Sequence, residues 1–140
     1  MNYSAEWEAL FRKWIGRLMP TPDWEIRFIP DDDCPNRAEV TSQFRYREAT
    51  FRYRPSDPPN ELTACHEVCH LLTARAYALG RELLDTAGDR DGIGRRAFDG
   101  AIEEVVNDMA RAFVRAYEGE DGTADGSAAQ TTEEKTRCQS

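Results

Sequence analysis

Apolar residues near the start of the chain fall at Trp7, Leu10, Phe11, Trp14, Ile15 and Leu18, the spacing of one face of a helix. This pattern predicts an amphipathic helix over 4–19, with Ser4 as N-cap, Glu6 and Glu8 in the first turn, Lys13 and Arg17 near the end, and Pro20 as the stop. The period then changes from helical to alternating. Trp24-Glu25-Ile26-Arg27-Phe28-Ile29 reads as a strand ending at Pro30. After an acidic turn at Asp31-Asp32-Asp33, two further strands are expected over 38–47 and 49–54, forming a hairpin around Glu48. Phe44, Tyr46, Phe51 and Tyr53 alternate there with Arg45, Arg47, Arg52 and Arg54, so one face should be core and the other wet.

Pro55-Ser56-Asp57-Pro58-Pro59 breaks the sheet, and Asn60 is the expected N-cap of a helix over 61–79 that ends at Gly80. Gly88, Gly92 and Gly94 with Asp89 and Asp91 predict a mobile loop over 80–96, helical at most near Arg81-Glu82-Leu83-Leu84. A last helix is expected from Arg96 to Tyr117, its apolar face centred on Ile102, Val105, Val106, Met109 and Phe113. From Gly119 onward no core pattern remains, which predicts a disordered tail over 119–140. The elements describe one α+β domain over 1–118: an N-terminal helix, a small three-stranded sheet and two further helices.

Composition narrows the class. A chain of 140 residues, 40% hydrophobic and 31% charged, suits one globular domain with a real core. No apolar run has the length of a membrane span, and Met1-Asn2-Tyr3-Ser4-Ala5-Glu6 lacks the basic and apolar regions of a secretory signal; a cytoplasmic protein with no membrane partner is expected. The net charge of −8 argues against a broad phosphate-binding surface, so no nucleic-acid partner is expected, and the hairpin arginines read as solvated outer positions. Cys34, Cys65, Cys69 and Cys138 lack the paired spacing of a structural zinc site. Cys65 and Cys69 read as packing residues and Cys138 as a free thiol.

The chemistry concentrates at His66-Glu67-Val68-Cys69-His70, which holds both histidines of the chain. On a helix, residues four apart share a face, so both imidazoles can reach one Zn²⁺, with Glu67 beside it to take a proton from a bound water. A catalytic zinc needs a third protein ligand, and with no further histidine it must come from a carboxylate or, as the second choice, a cysteine. Ile102-Glu103-Glu104-Val105-Val106-Asn107-Asp108-Met109-Ala110 offers two adjacent carboxylates, about 100° apart. Glu104 shares a charged face with Asp108, Arg111 and Arg115, whereas Glu103 sits at the margin of the apolar face. Glu103 is therefore favoured, with Asn107 in support; Glu104 with Asp108 is the rival pair at the same spacing. Tyr77 shares the helical face of the histidines but reads better as a packing residue than as an oxyanion donor.

These segments resemble gluzincin zinc metallopeptidases. Glu103 to Ala110 is similar to the E-x-x-A-N-x-F-A segment of ImmA/IrrE-type peptidases, with Val106 and Met109 in place of alanine and phenylalanine. The Asp23-Trp24-Glu25-Ile26 strand and the order of elements are also similar, over roughly 20–117, and small zincin-like proteins of phages and prophages share the layout. The resemblance implies a minimal zincin-like fold, His66, His70 and Glu103 as zinc ligands, Glu67 as catalytic residue, and a protein or peptide substrate added to an edge strand. The alternative is a zincin-fold binding or regulatory protein with a structural or inactive metal site.

Overall fold

The computed structural model describes residues 1–19 and 23–124. Its elements are α1 (Ser4–Leu18), β1 (Glu25–Pro30), β2 (Ala38–Gln43), a short 3-10 turn (Phe44–Tyr46), β3 (Glu48–Tyr53), α2 (Glu61–Ala87) and α3 (Ile93–Ala124). The fold is α+β, with three helices and a small three-stranded mixed sheet. β3 is central: β1 pairs with it in parallel and β2 antiparallel, giving the order β1-β3-β2. β2 is therefore an edge.

The core forms where the aromatic stripe of α1 meets β3 and the first half of α2. Trp7, Phe11 and Trp14 are buried together with Phe51, Tyr53, Val68 and Val106. Their rings pack closely, Phe11 against Phe51 with centroids 4.7 Å apart and Trp7 against Tyr53 at 5.9 Å. The polar edges of these large side chains also find partners. Trp7 Nε1 donates to the Asp57 carbonyl at 2.9 Å, and Tyr53 Oη donates to Glu8 at 3.2 Å.

Several boundaries differ from the sequence expectations, each for a local reason. Ser4 is the first helical residue rather than the cap, and its N–H is taken by Asn2 Oδ1 at 2.9 Å. β2 stops at Gln43, five residues after its start, because the chain turns through Phe44–Tyr46 and then through Arg47, which adopts a left-handed conformation at φ 51°. The reversal thus precedes Glu48, and the core alternation holds only for Phe51 and Tyr53; Tyr46 is exposed. Three of the four hairpin arginines have partners rather than forming a bare cationic face. Arg47 pairs with Asp23, Arg52 with Asp31 and Glu39, and Arg54 donates to the Cys34 and Pro35 carbonyls.

The largest difference lies in 80–96. α2 passes through Gly80 to Ala87 and is capped by Gly88, whose φ of 75° suits glycine. Gly80 is a contact residue, not a terminator: a side chain there would run into the Phe98 ring of α3. Only 88–92 form the connection. Asp89 then starts α3 three residues earlier than expected, its carboxylate accepting the Gly94 and Arg95 N–H groups at 3.1 and 2.9 Å. α3 also continues past Gly119, into the segment expected to be disordered, as far as Ala124. Its buried line runs through Val106 and Ala110, and Val105 is exposed. Pro20, residues 125–140 and Cys138 lie outside the described residues. Among those described, no helix is long and apolar enough to cross a membrane.

Candidate metal centre

The start of α2 is fastened before its chemistry begins. Asn60 Oδ1 accepts the Thr63 N–H at 2.7 Å, as the sequence predicts for an N-cap. Glu61 is tied to α1 by Trp14 Nε1 at 2.6 Å and by Lys13. These contacts set the rotation of the helix. Ala64, Cys65, Val68 and Cys69 enter the core, while Thr63, His66, Glu67 and His70 line a cleft of about 760 Å³ shared with β2 and α3. Both cysteines are fully buried, and the Cys65 thiol lies 3.8 Å from the Ala110 carbonyl. Their packing role stands, and neither belongs to the centre.

Three side chains converge in the cleft. His66 Nε2 and His70 Nε2 are 3.2 Å apart; Glu103 Oε1 is 3.0 Å from the first and Glu103 Oε2 3.4 Å from the second. Four-coordinate zinc with bonds near 2.1 Å holds neighbouring ligand atoms about 3.4 Å apart, the size of these separations, with each histidine meeting a different Glu103 oxygen. Hydrogen bonding alone fits less well. Each Nε2 carries at most one proton and the carboxylate only accepts, so two protons must serve three edges. A cation at the centre of the triangle satisfies all three groups. His66, His70 and Glu103 can therefore hold a metal ion.

Electrostatics favours the same state. Burial, followed by the neighbouring His66, lowers the pKa of His70, against a smaller opposing pull from Glu103. His70 is thus neutral at neutral pH, the form that ligates. Glu67 is 8% exposed, and its Oε2 accepts the Val40 N–H of β2 at 2.9 Å. Burial pushes its pKa up to about 8; the negative charges of Glu103 and Glu39 add to the rise and the Val40 bond opposes it. A carboxyl so placed can hold or release a proton near neutral pH.

The two adjacent glutamates, Glu103 and Glu104, separate cleanly. Glu103 faces the histidines, while Glu104, about 100° further round the helix, is exposed and lies outside the cluster. Asn107 is half-buried one turn along and bonds to none of the three ligand candidates. Tyr77 is not a core residue: it lines the cleft, stacks on Phe98 with centroids 5.8 Å apart, and accepts from Arg81 at 2.9 Å. Sequence reasoning missed the contribution of β2. The Val40 amide carries no side-chain signature, and only the register of the edge strand brings it to Glu67. It also missed Asp99, which borders the cleft and pairs with Arg81 at 3.0 Å.

No protein-family model, curated protein or solved structure matches this chain, so the chemistry of the centre is read from its own geometry.

Proposed function

We propose that the protein is a zinc-dependent metallopeptidase with a minimal zincin-like fold. The observation that carries this reading is the His66–His70–Glu103 triangle with the buried Glu67 carboxyl beside it. His66, His70 and Glu103 would hold the zinc at the cleft. Bound there, zinc supplies a Lewis acid and lowers the pKa of a coordinated water to about 7. Glu67 would take a proton from water and return it to the leaving amine. Its bond from Val40 fixes one carboxylate oxygen and leaves the other for this transfer.

The substrate is an extended peptide lying along β2. The Arg54 N–H donates to the Arg37 carbonyl, so the antiparallel alternation turns the amides of Ala38, Val40 and Ser42 toward the open edge. With Val40 engaged by Glu67, an added strand bonds on either side, at Ala38 and Ser42.

The test uses zinc-loaded protein and an unstructured protein substrate, with new N-termini as the readout. Glu67→Gln should keep its zinc and lose about 100-fold or more of the cleavage rate. Equal rates for the two proteins would refute the peptidase reading.

A further inference from the structure

α2 and α3 pair into a hairpin with two unlike flanks. One flank carries the Arg81–Asp99 and Arg95–Asp85 ion pairs and, further along, the metal cluster. The opposite flank is apolar and open. At about 100° per residue, Leu72, Ala76, Leu79 and Leu83 lie within about 60° of one another on α2. All four are exposed, Leu79 by 55% and Leu83 by 61%. The stripe prolongs the side of α2 that buries Cys65 and Val68 and continues beyond Ala74, the last buried residue of the helix. Ile93 and Val105 of α3 are further exposed apolar residues of the hairpin, at 63% and 49%. Leucines at this spacing on a water-facing helix mark a contact surface.

We propose that this flank binds the same flank of a second copy, the two α2 helices running antiparallel about a two-fold axis. The spacing from Leu72 to Leu83 is four, three, four, which reads the same in both directions. With the axis between Ala76 and Leu79, Leu72 meets Leu83 of the second copy and Ala76 meets Leu79, a small residue opposite a large one. Charge selects the same register. Arg75 and Glu82 flank the stripe on one side, both exposed and, among the described residues, neither in an ion pair. The antiparallel register places Arg75 beside Glu82 of the second copy, twice by symmetry. A parallel pairing sets them opposite Gly80 and Ala87 instead. The metal cleft lies about 150° away round α2, so it stays open in the dimer and the dimer does not depend on the peptidase reading.

Sedimentation and light scattering on the full chain, from micromolar to millimolar protein, test this. Wild type should reach twice the monomer mass. Leu79→Glu with Leu83→Glu should be monomeric at unchanged helical circular dichroism. Arg75→Glu alone and Glu82→Arg alone should each weaken the dimer about tenfold, and the two together should restore it. A monomeric wild type, a dimer that survives the leucine changes, or a double charge variant no tighter than the single ones would overturn the proposal.

Discussion

The two flanks of the α2–α3 hairpin are built from the same two helices and the same turn, yet they follow opposite rules. On the cleft side, polar groups converge and answer one another: Arg81 with Asp99, Arg95 with Asp85, and His66 and His70 with Glu103. On the other side, Leu79 and Leu83 face water with nothing described against them. Amphipathicity alone would place the apolar flank inward. The core of this small domain ends near Ala74, so the apolar line of α2 outlasts the core while the polar line is completed by α3. A helix longer than its core must end in solvent or in another molecule.

The largest expected effect breaks the cleft side. His66→Ala or His70→Ala should lower zinc affinity by more than about 100-fold, with Glu103→Ala close behind, in a chelator competition assay. Glu104→Ala, one residue along, should leave affinity unchanged. A loss of zinc in Glu104→Ala equal to that in Glu103→Ala would show that α3 is rotated from its place here.

A second test sharpens the electrostatic side of the comparison. In metal-free protein, folded Glu67 titrates near 8, against about 4.3 in an unfolded chain. Between these values the folded state binds more protons, so this group makes stability fall as pH rises through the window, and below it contributes no loss. Denaturant unfolding should show Glu67→Gln gaining on wild type by a few kcal/mol between pH 5 and 8, to an order of magnitude. A difference flat across that range would mean that Glu67 is not held in a low-dielectric site. Saturating zinc should shrink the slope, because a nearby cation favours the carboxylate.

The smallest effect probes how closely the helices approach. Gly80→Ala forces a methyl into Phe98 and should cost about 1–3 kcal/mol. Gly100→Ala, a helical position with open space around it, should gain about 0.5–1 kcal/mol. Equal responses in urea melts would remove the close contact from the account.

Much of this was legible in the chain because it is local. The stripe from Trp7 to Ile15, the Asn60 cap and the shared face of His66 and His70 follow from helical spacing and side-chain chemistry. Glycine misled where contact, rather than conformation, explained it. Gly80 reads as a terminator, yet it is needed for the approach of Phe98, while the left-handed terminus falls at Gly88. Val105 reads as core because it is apolar, but the rotation of α3 is set by Val106 and Ala110 against α2. The hairpin arginines read as solvated because their partners, Asp23, Asp31 and Glu39, are distant in sequence or on another strand.

By itself the sequence determined the existence and order of the helices and strands, though not their ends, and the pair of imidazoles, since each depends on residues within one or two turns of each other. Helical phasing favoured Glu103 over Glu104, and tertiary structure brings it to those imidazoles; tertiary structure alone decided that a backbone amide of β2 engages Glu67, and that one flank of the hairpin closes while the other stays open. Each of these depends on the rotation or register of one element against another. Those are set by the sum of many weak packing contacts, and no short window of sequence contains that sum.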